Sequence, residues 1–176
     1  PVVIQDAPAY LGIGSSPASI RKCAEAQPNI RYVKVETGPE GTARWVSELA
    51  PRIGVFTGGA GLNLLDDLRV GAVGNVPGTE LTDLLVAIYR ARQQGHLAAA
   101  EASFRRLLPY LVFSLQDIDH YNACTKEILV RRGILALAGL RQPAPRLSAL
   151  ALELLDRHAA ELALSGPASA APSSGS

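Results

Sequence analysis

Over the first 77 or so residues, short apolar runs alternate with amphipathic stretches. Val2-Val3-Ile4 is a β-branched run that Pro8 closes, and Ser16-Pro17 is a helix start with Ser16 as cap and Pro17 at the first helical position. That helix is expected to reach Gln27, where Pro28-Asn29 breaks it. A strand over Arg31-Tyr32-Val33-Lys34-Val35 follows, then a helix over Thr42–Leu49 with Trp45, Val46 and Leu49 on one face. Ile53–Thr57 reads as a third strand, Leu62–Leu68 as a short helix, and Gly71–Val76 as a fourth strand whose glycines imply close packing against a neighbour. Strand alternating with helix predicts parallel βαβ units joined by right-handed crossovers.

Beyond Pro77 the period becomes helical throughout. Helices are predicted over Thr79–Gln94, over Leu97–Leu115 with a kink or break at Pro109, over Tyr121–Arg132 with Gly133 as its stop, and over Leu147–Leu164. Asp117, Asp119 and His120 read as a solvated loop, and His96 and His158 as helix-surface residues. Residues 165–176 contain only Ser, Ala, Pro and Gly and are expected to be disordered.

Composition narrows the function classes. Hydrophobic residues make up 48% of the 176 and charged residues 19%, a balance suited to a buried globular core. A net charge of +1 and 5% aromatic residues argue against nucleic-acid binding. No apolar run has membrane-spanning length and no secretory pattern opens the chain, so a cytoplasmic protein without a membrane role is expected. Cys23 and Cys124 have no metal-type spacing and read as partly buried, reduced thiols; no metal and no cofactor is predicted. The absence of Met and the abrupt opening on Pro1-Val2-Val3 suggest a chain that begins partway through a gene, which the codons upstream of Pro1 would test.

Lysine is scarce, with only Lys22, Lys34 and Lys126, and Lys34 lies between two valines in a predicted strand. Burying an ammonium without a partner is expensive, and a neutral amine in a dry pocket is what Schiff-base chemistry requires. The competing reading is that Lys34 snorkels or pairs with Glu36. Alternation puts Tyr32, Lys34 and Glu36 on one face and Val33 and Val35 on the other. A polar face of this kind suits a barrel interior near its C-terminal mouth, with the valines turned to outer helices. Gln5, Asp6, Lys34, Glu36, Thr57, Gly58 and Asn75 all fall at or near strand C-terminal ends.

Taken in order, these segments resemble the dihydrodipicolinate synthase / N-acetylneuraminate lyase superfamily of class I Schiff-base lyases, over roughly residues 1–134. Val33-Lys34-Val35-Glu36-Thr37-Gly38 is similar to the family's lysine strand, usually Ile-Lys-Glu-Ala-Thr-Gly. Pro1–Pro8 resembles its fifth strand, Thr57-Gly58-Gly59 the Ser-Gly-Asp ending the seventh, and Gly71–Gly74 the eighth. The resemblance implies an α/β fold: the C-terminal half, strands 5–8, of a (β/α)8 TIM barrel followed by a helical extension. Residues 1–78 would be the half barrel, 79–164 the last barrel helix and extension, and 165–176 the tail. A half barrel leaves two unpaired strand edges, so the 176 residues alone are expected to be inactive or poorly folded.

The resemblance further implies a lyase, a dehydratase or an aldolase, in which Lys34 forms an imine with a small 2-oxo acid such as a 2-keto-3-deoxy sugar acid. Gly58 would admit the substrate carboxylate to the backbone and offer its N–H, and Val73 would wall the pocket. Gln5 and Tyr10 would contact substrate; they stand where the synthase has its catalytic tyrosine and a carboxylate-binding arginine. Those replacements leave the acid–base partner unassigned and point towards the family's sugar-acid members. Full-length relatives are usually homo-oligomers. Two other readings stay open: a non-catalytic or degenerate barrel binding a small carboxylate, and an open-sheet phosphate binder built on Gly58–Gly61.

Overall fold

A computed structural model describes residues 1–164 of the chain, and the predicted disordered tail lies outside them. The chain divides into two compact units, the first Pro1–Pro77 and the second beginning at Gly78.

In the first unit, β1 (Val2–Asp6), β2 (Ile30–Val35), β3 (Gly54–Thr57) and β4 (Gly74–Asn75) form one sheet in the order β1-β2-β3-β4, every pair parallel. The fourth strand is only two residues long, shorter than the six predicted. Val73 N donates to Val55 O at 2.9 Å and Val76 N to Thr57 O at 2.8 Å, which continues the ladder on both sides of it. Proline starts each of three helices: α1 (Pro8–Leu11), α2 (Pro17–Ala26) and α3 (Pro39–Leu49). Its fixed φ suits the first turn, where the missing N–H costs no bond. Ser16 caps α2, its hydroxyl accepting from Ser19 N at 3.2 Å. The sequence reading had α3 begin three residues late and missed α1, where Pro8 both ends the strand and opens a helix. The short α4 spans Leu64–Arg69.

A monotonic strand order with right-handed crossovers places the connecting helices on one side of the sheet, whereas a doubly wound sheet reverses its order to cover both. The core of the unit lies on that side: Val33, Val35 and Val55 from the strands pack with Ile20 of α2, Trp45 and Leu49 of α3, and Ile53. Val33 is 0% exposed and Val35 1%. Burying each such side chain contributes roughly 1.5–3 kcal/mol of transfer free energy, enough to specify which face of β2 turns inward. The opposite face carries Tyr32, Lys34 and Phe56, with the Tyr32 and Phe56 rings 5.3 Å apart. A Cβ at Gly74 would lie 2.9 Å from the Phe56 ring, which accounts for the glycine in β4.

The second unit is helical: α5 (Thr82–Gln93), α6 (Leu97–Ser114), α7 (Ile118–Arg131) and α8 (Ala149–Glu161). Its buried residues include Leu81, Leu85, Ile88, Leu107, Tyr110, Leu111, Ile128 and Leu155. Of the kink or break expected at Pro109, the break does not occur, since one helix runs through it. Pro109 is exposed, and buried Leu107, Tyr110 and Leu111 hold both halves of α6 in the core, so one lost backbone bond is tolerated. Asp117 is a helix cap rather than a solvated loop residue, its carboxylate accepting from His120 N at 2.8 Å, and Asp119 and His120 lie within α7. His158 is 6% exposed, not on the surface, because the Phe113 ring covers it at 5.1 Å; burial pushes its pKa down. Cys124 is buried, Cys23 is exposed, and both are free.

Candidate active site

The C-terminal ends of β1, β2 and β3 bring the candidate residues together on the face of the sheet opposite the core. In register, Gln5 of β1 lies beside Lys34 of β2, and Lys34 beside Phe56 of β3. Because facing residues of neighbouring strands project to the same side, the three form a row across the open face. Val73 borders the row: its Cγ2 lies 3.2 Å from where a Cβ on Gly54 would stand. Tyr10 is not part of the group. It lies on α1, 58% exposed, and its side chain makes no hydrogen bond or ring contact with the residues around Lys34.

Lys34 is not an unpartnered amine. Its Nζ lies 2.7 Å from Glu36 Oε1, with side-chain exposures of 16% and 12%. The other oxygen, Glu36 Oε2, accepts from Gly59 N at 2.8 Å. The carboxylate therefore bridges the amine of one strand end to the turn after the next. Gly58 makes this possible, since a Cβ there would stand 2.2 Å from both Glu36 oxygens. The N–H of Gly58 itself donates to Val35 O at 3.2 Å and continues the ladder, so it is not directed at a ligand as the sequence reading had it. The turn N–H that meets an anion is that of Gly59.

The turn has an unusual backbone. Gly59, Ala60 and Gly61 have φ of +59°, +52° and +85° in succession, and Ala60 carries a side chain in the left-handed region at 7% exposure. A single alanine in that region costs about 1–2 kcal/mol, so surrounding contacts must hold it. Asn75 of β4 is placed to do so: its Nδ2 donates to Gly58 O at 2.7 Å and to Thr57 Oγ1 at 3.1 Å. Behind Thr57 lies Asp67 of α4, 2% exposed; burial pushes its carboxyl above the ordinary range, and the hydroxyls of Thr57 and Thr42 partly offset the shift.

Two contributions went unassigned in the sequence. Glu36 entered only as a neutralising partner for Lys34, although the Lys-x-Glu spacing sets both on one face at a strand end. Asn75 sits at a strand end with no local signal of its role, since its partners are 17 and 18 residues earlier in the chain. Among the described residues no group of three or more His, Cys, Asp or Glu could hold a metal ion, and no helix is long and apolar enough to cross a membrane.

No family profile matches the chain. It is 31% identical over 158 residues to an L-2-keto-3-deoxyarabonate dehydratase of Azospirillum brasilense, the match covering 84% of this chain and 48% of that protein. Its fold superimposes on a dihydrodipicolinate synthase of Rhodopseudomonas palustris with a TM-score of 0.81 at 26% identity, covering 92% of this chain and 56% of the other. It also superimposes, at 22% identity and a TM-score of 0.82, on an Escherichia coli K12 prophage protein of the dihydrodipicolinic acid synthase family in complex with pyruvate, covering 93% of this chain and 56% of that one. The chain thus spans about half the length of the proteins it matches. With its parallel α/β sheet, its sequence match and these neighbours, the chain is similar to proteins of the dihydrodipicolinate synthase family over that share of their length.

Proposed function

We propose that this chain carries the lysine-bearing part of a class I lyase acting on a 2-oxo acid of the 2-keto-3-deoxy sugar-acid type, with Lys34 as the Schiff-base lysine. On this reading the first unit is the C-terminal half of a (β/α)8 barrel, the second supplies the last barrel helix and a helical extension, and the full-length protein is an oligomer. The observation that carries the proposal is the placement of Lys34. It is an amine at the C-terminal end of a parallel strand, on the face opposite the helices, held by a carboxylate that a neighbouring turn fixes in place. Active sites of parallel barrels lie at that end.

The chemistry follows from those groups. Glu36 takes a proton from the Lys34 ammonium, and the freed amine adds to the substrate C2 carbonyl; loss of water leaves an iminium. Removal of a C3 proton sends its electron pair to the nitrogen as an enamine. Return of that pair expels the C4 hydroxyl, which leaves as water once protonated, and hydrolysis of the imine restores Lys34. In aldol cleavage the C4 hydroxyl instead gives up its proton and becomes the carbonyl of the leaving aldehyde as C3–C4 breaks, and the resulting enamine is protonated at C3 before the imine is hydrolysed. Glu36 is the carboxylate nearest the amine and is suited to shuttle these protons. Gln5, beside Lys34, can orient a hydroxyl or water but cannot relay a proton as a tyrosine does.

The Lys34–Glu36 pair also favours a second reading, a barrel that binds a small carboxylate without turning it over, because an ion pair at 2.7 Å is a complete structural arrangement by itself. Borohydride reduction in the presence of pyruvate separates the two, using protein expressed from the whole reading frame that encodes this chain. A covalent adduct mapped to Lys34 and absent from Lys34→Ala is expected. Equal, adduct-free spectra for both proteins would remove the lyase reading.

A further inference from the structure

From the turn that follows β3 we infer that Asn75 is a positioning residue for the reactive pair: by clamping the Gly58 carbonyl, it holds the Gly59 N–H against Glu36 and so fixes Glu36 on Lys34. The inference rests on the reading of Lys34 as the Schiff-base lysine. It goes further by naming a residue on another strand that touches neither the amine nor its carboxylate.

Three consecutive positive φ values make an energetically raised turn, which persists only where its surroundings over-determine it. The turn closes on itself with Gly61 N donating to Gly58 O at 3.3 Å and Leu62 N to Gly59 O at 2.9 Å. The first of these is long, and Gly58 O takes its shorter bond, 2.7 Å, from Asn75 Nδ2. Both hydrogens of the Asn75 amide are thus committed, one to the turn and one to Thr57 Oγ1, and Thr57 is 1% exposed. The orientation of the amide follows, because a carbonyl oxygen at Gly58 can face only the NH2 end. Asn75 Oδ1 is buried without a partner, so the amide is held by what its nitrogen does.

From Asn75 the constraint runs through one peptide unit. The Gly58 carbonyl and the Gly59 N–H belong to the same planar amide, so fixing one fixes the direction of the other. That N–H donates to Glu36 Oε2, and Glu36 Oε1 reaches Lys34 Nζ. With the clamp gone, the peptide plane can rotate, and Glu36 loses the donor that keeps it from swinging off the amine.

The first measurement is hydrogen exchange at the Gly59 amide, corrected for intrinsic rate, in protein from the whole reading frame. Asn75→Ala should lower Gly59 protection about tenfold, as loss of one charge-assisted bond implies, while amides of the β2 core keep theirs. Asn75→Asp, isosteric with the native residue, carries the test if Asn75→Ala does not fold. It should lose Gly59 protection at neutral pH and regain it in acid, where the protonated carboxyl again offers a donor to Gly58 O. The second measurement is the pH–rate profile of borohydride trapping with pyruvate. The variants should trap about 10- to 100-fold more slowly, with a profile moved towards that of Glu36→Gln, a change that a general loss of stability would not produce. Gly59 protection and a pH profile both unchanged in the variants would overturn the inference and leave the lyase reading standing. Exchange that responds to Asn75 in a wild-type protein that never traps pyruvate would uphold the clamp and overturn the lyase reading.

Discussion

Gly58→Ala should separate stability from chemistry. The new Cβ would stand 2.2 Å from both Glu36 oxygens and 2.3 Å from its Cδ, and these atoms are the far end of a flexible side chain. Glu36 therefore swings away rather than the backbone shifting, giving up the contact to Lys34 Nζ at 2.7 Å and the bond from Gly59 N at 2.8 Å. Hydrogen bonds to a charged group contribute about 1.5–3 kcal/mol each, so the gross loss is roughly 3–6 kcal/mol. Rehydration of the released carboxylate offsets part of that, and the stiffer unfolded chain of an alanine variant returns about 0.4–1 kcal/mol. A net loss of about 1–3 kcal/mol is expected, which the protein survives. On the lyase reading, trapping at Lys34 should fall about 100-fold or more, because the carboxylate proposed as proton acceptor has left the amine. Urea denaturation followed by Trp45 fluorescence gives the first quantity, and the time course of adduct formation with pyruvate gives the second. A variant that traps within about threefold of wild type would show that Glu36 does not serve Lys34.

Two pH-dependent predictions concern the second unit. Glu80 is 1% exposed, burial pushes its pKa up, and its Oε2 has no partner, so its folded pKa exceeds its unfolded one. The wild type therefore loses stability as pH rises from the unfolded carboxyl range through the folded value. Glu80→Gln should be flatter in urea titrations between about pH 4 and 8 and gain on wild type towards the upper end, and parallel curves would refute the assignment. Asp83 has the opposite sign: the hydrogen bond from Arg132, at 2.6 Å, holds its pKa below the usual range, so its contribution is present above the unfolded pKa and fades as pH falls. Arg132→Met should cost about 2–4 kcal/mol at pH 7, discounted because Asp83 is 40% exposed, and the deficit should shrink in acid; a constant deficit would show that the ion pair contributes little.

What the sequence disclosed and what it withheld have a common physical cause. Val33 and Val35 against Tyr32 and Lys34 is a period-two pattern, and the buried valines set the face of β2 as that pattern requires. Helix starts at Pro17 and the Ser16 cap were legible because capping is local chemistry. Missed features depend on partners distant in the chain. The unbroken α6 is decided by its packing around Pro109, and the burial of His158 by the Phe113 ring. At the site, Lys34 was visible as an oddity of composition. The bond from Asn75 to Gly58 joins residues 17 apart and leaves no mark on either segment. The left-handed run at Gly59–Gly61 was foreshadowed only by its glycines, which allow such a turn without requiring it.

The single tryptophan of the chain has a practical consequence. Trp45 of α3 lies in the core with the strand valines, 8% exposed, and no tryptophan lies in the helical unit, whose aromatic hydroxyls are Tyr89, Tyr110 and Tyr121. Excitation at the red edge, where only indole absorbs, therefore reports on the sheet unit alone, while far-ultraviolet circular dichroism is weighted towards the helices of the other. One denaturation series read with both probes measures whether the two units melt together or in sequence, without labels or added cysteines.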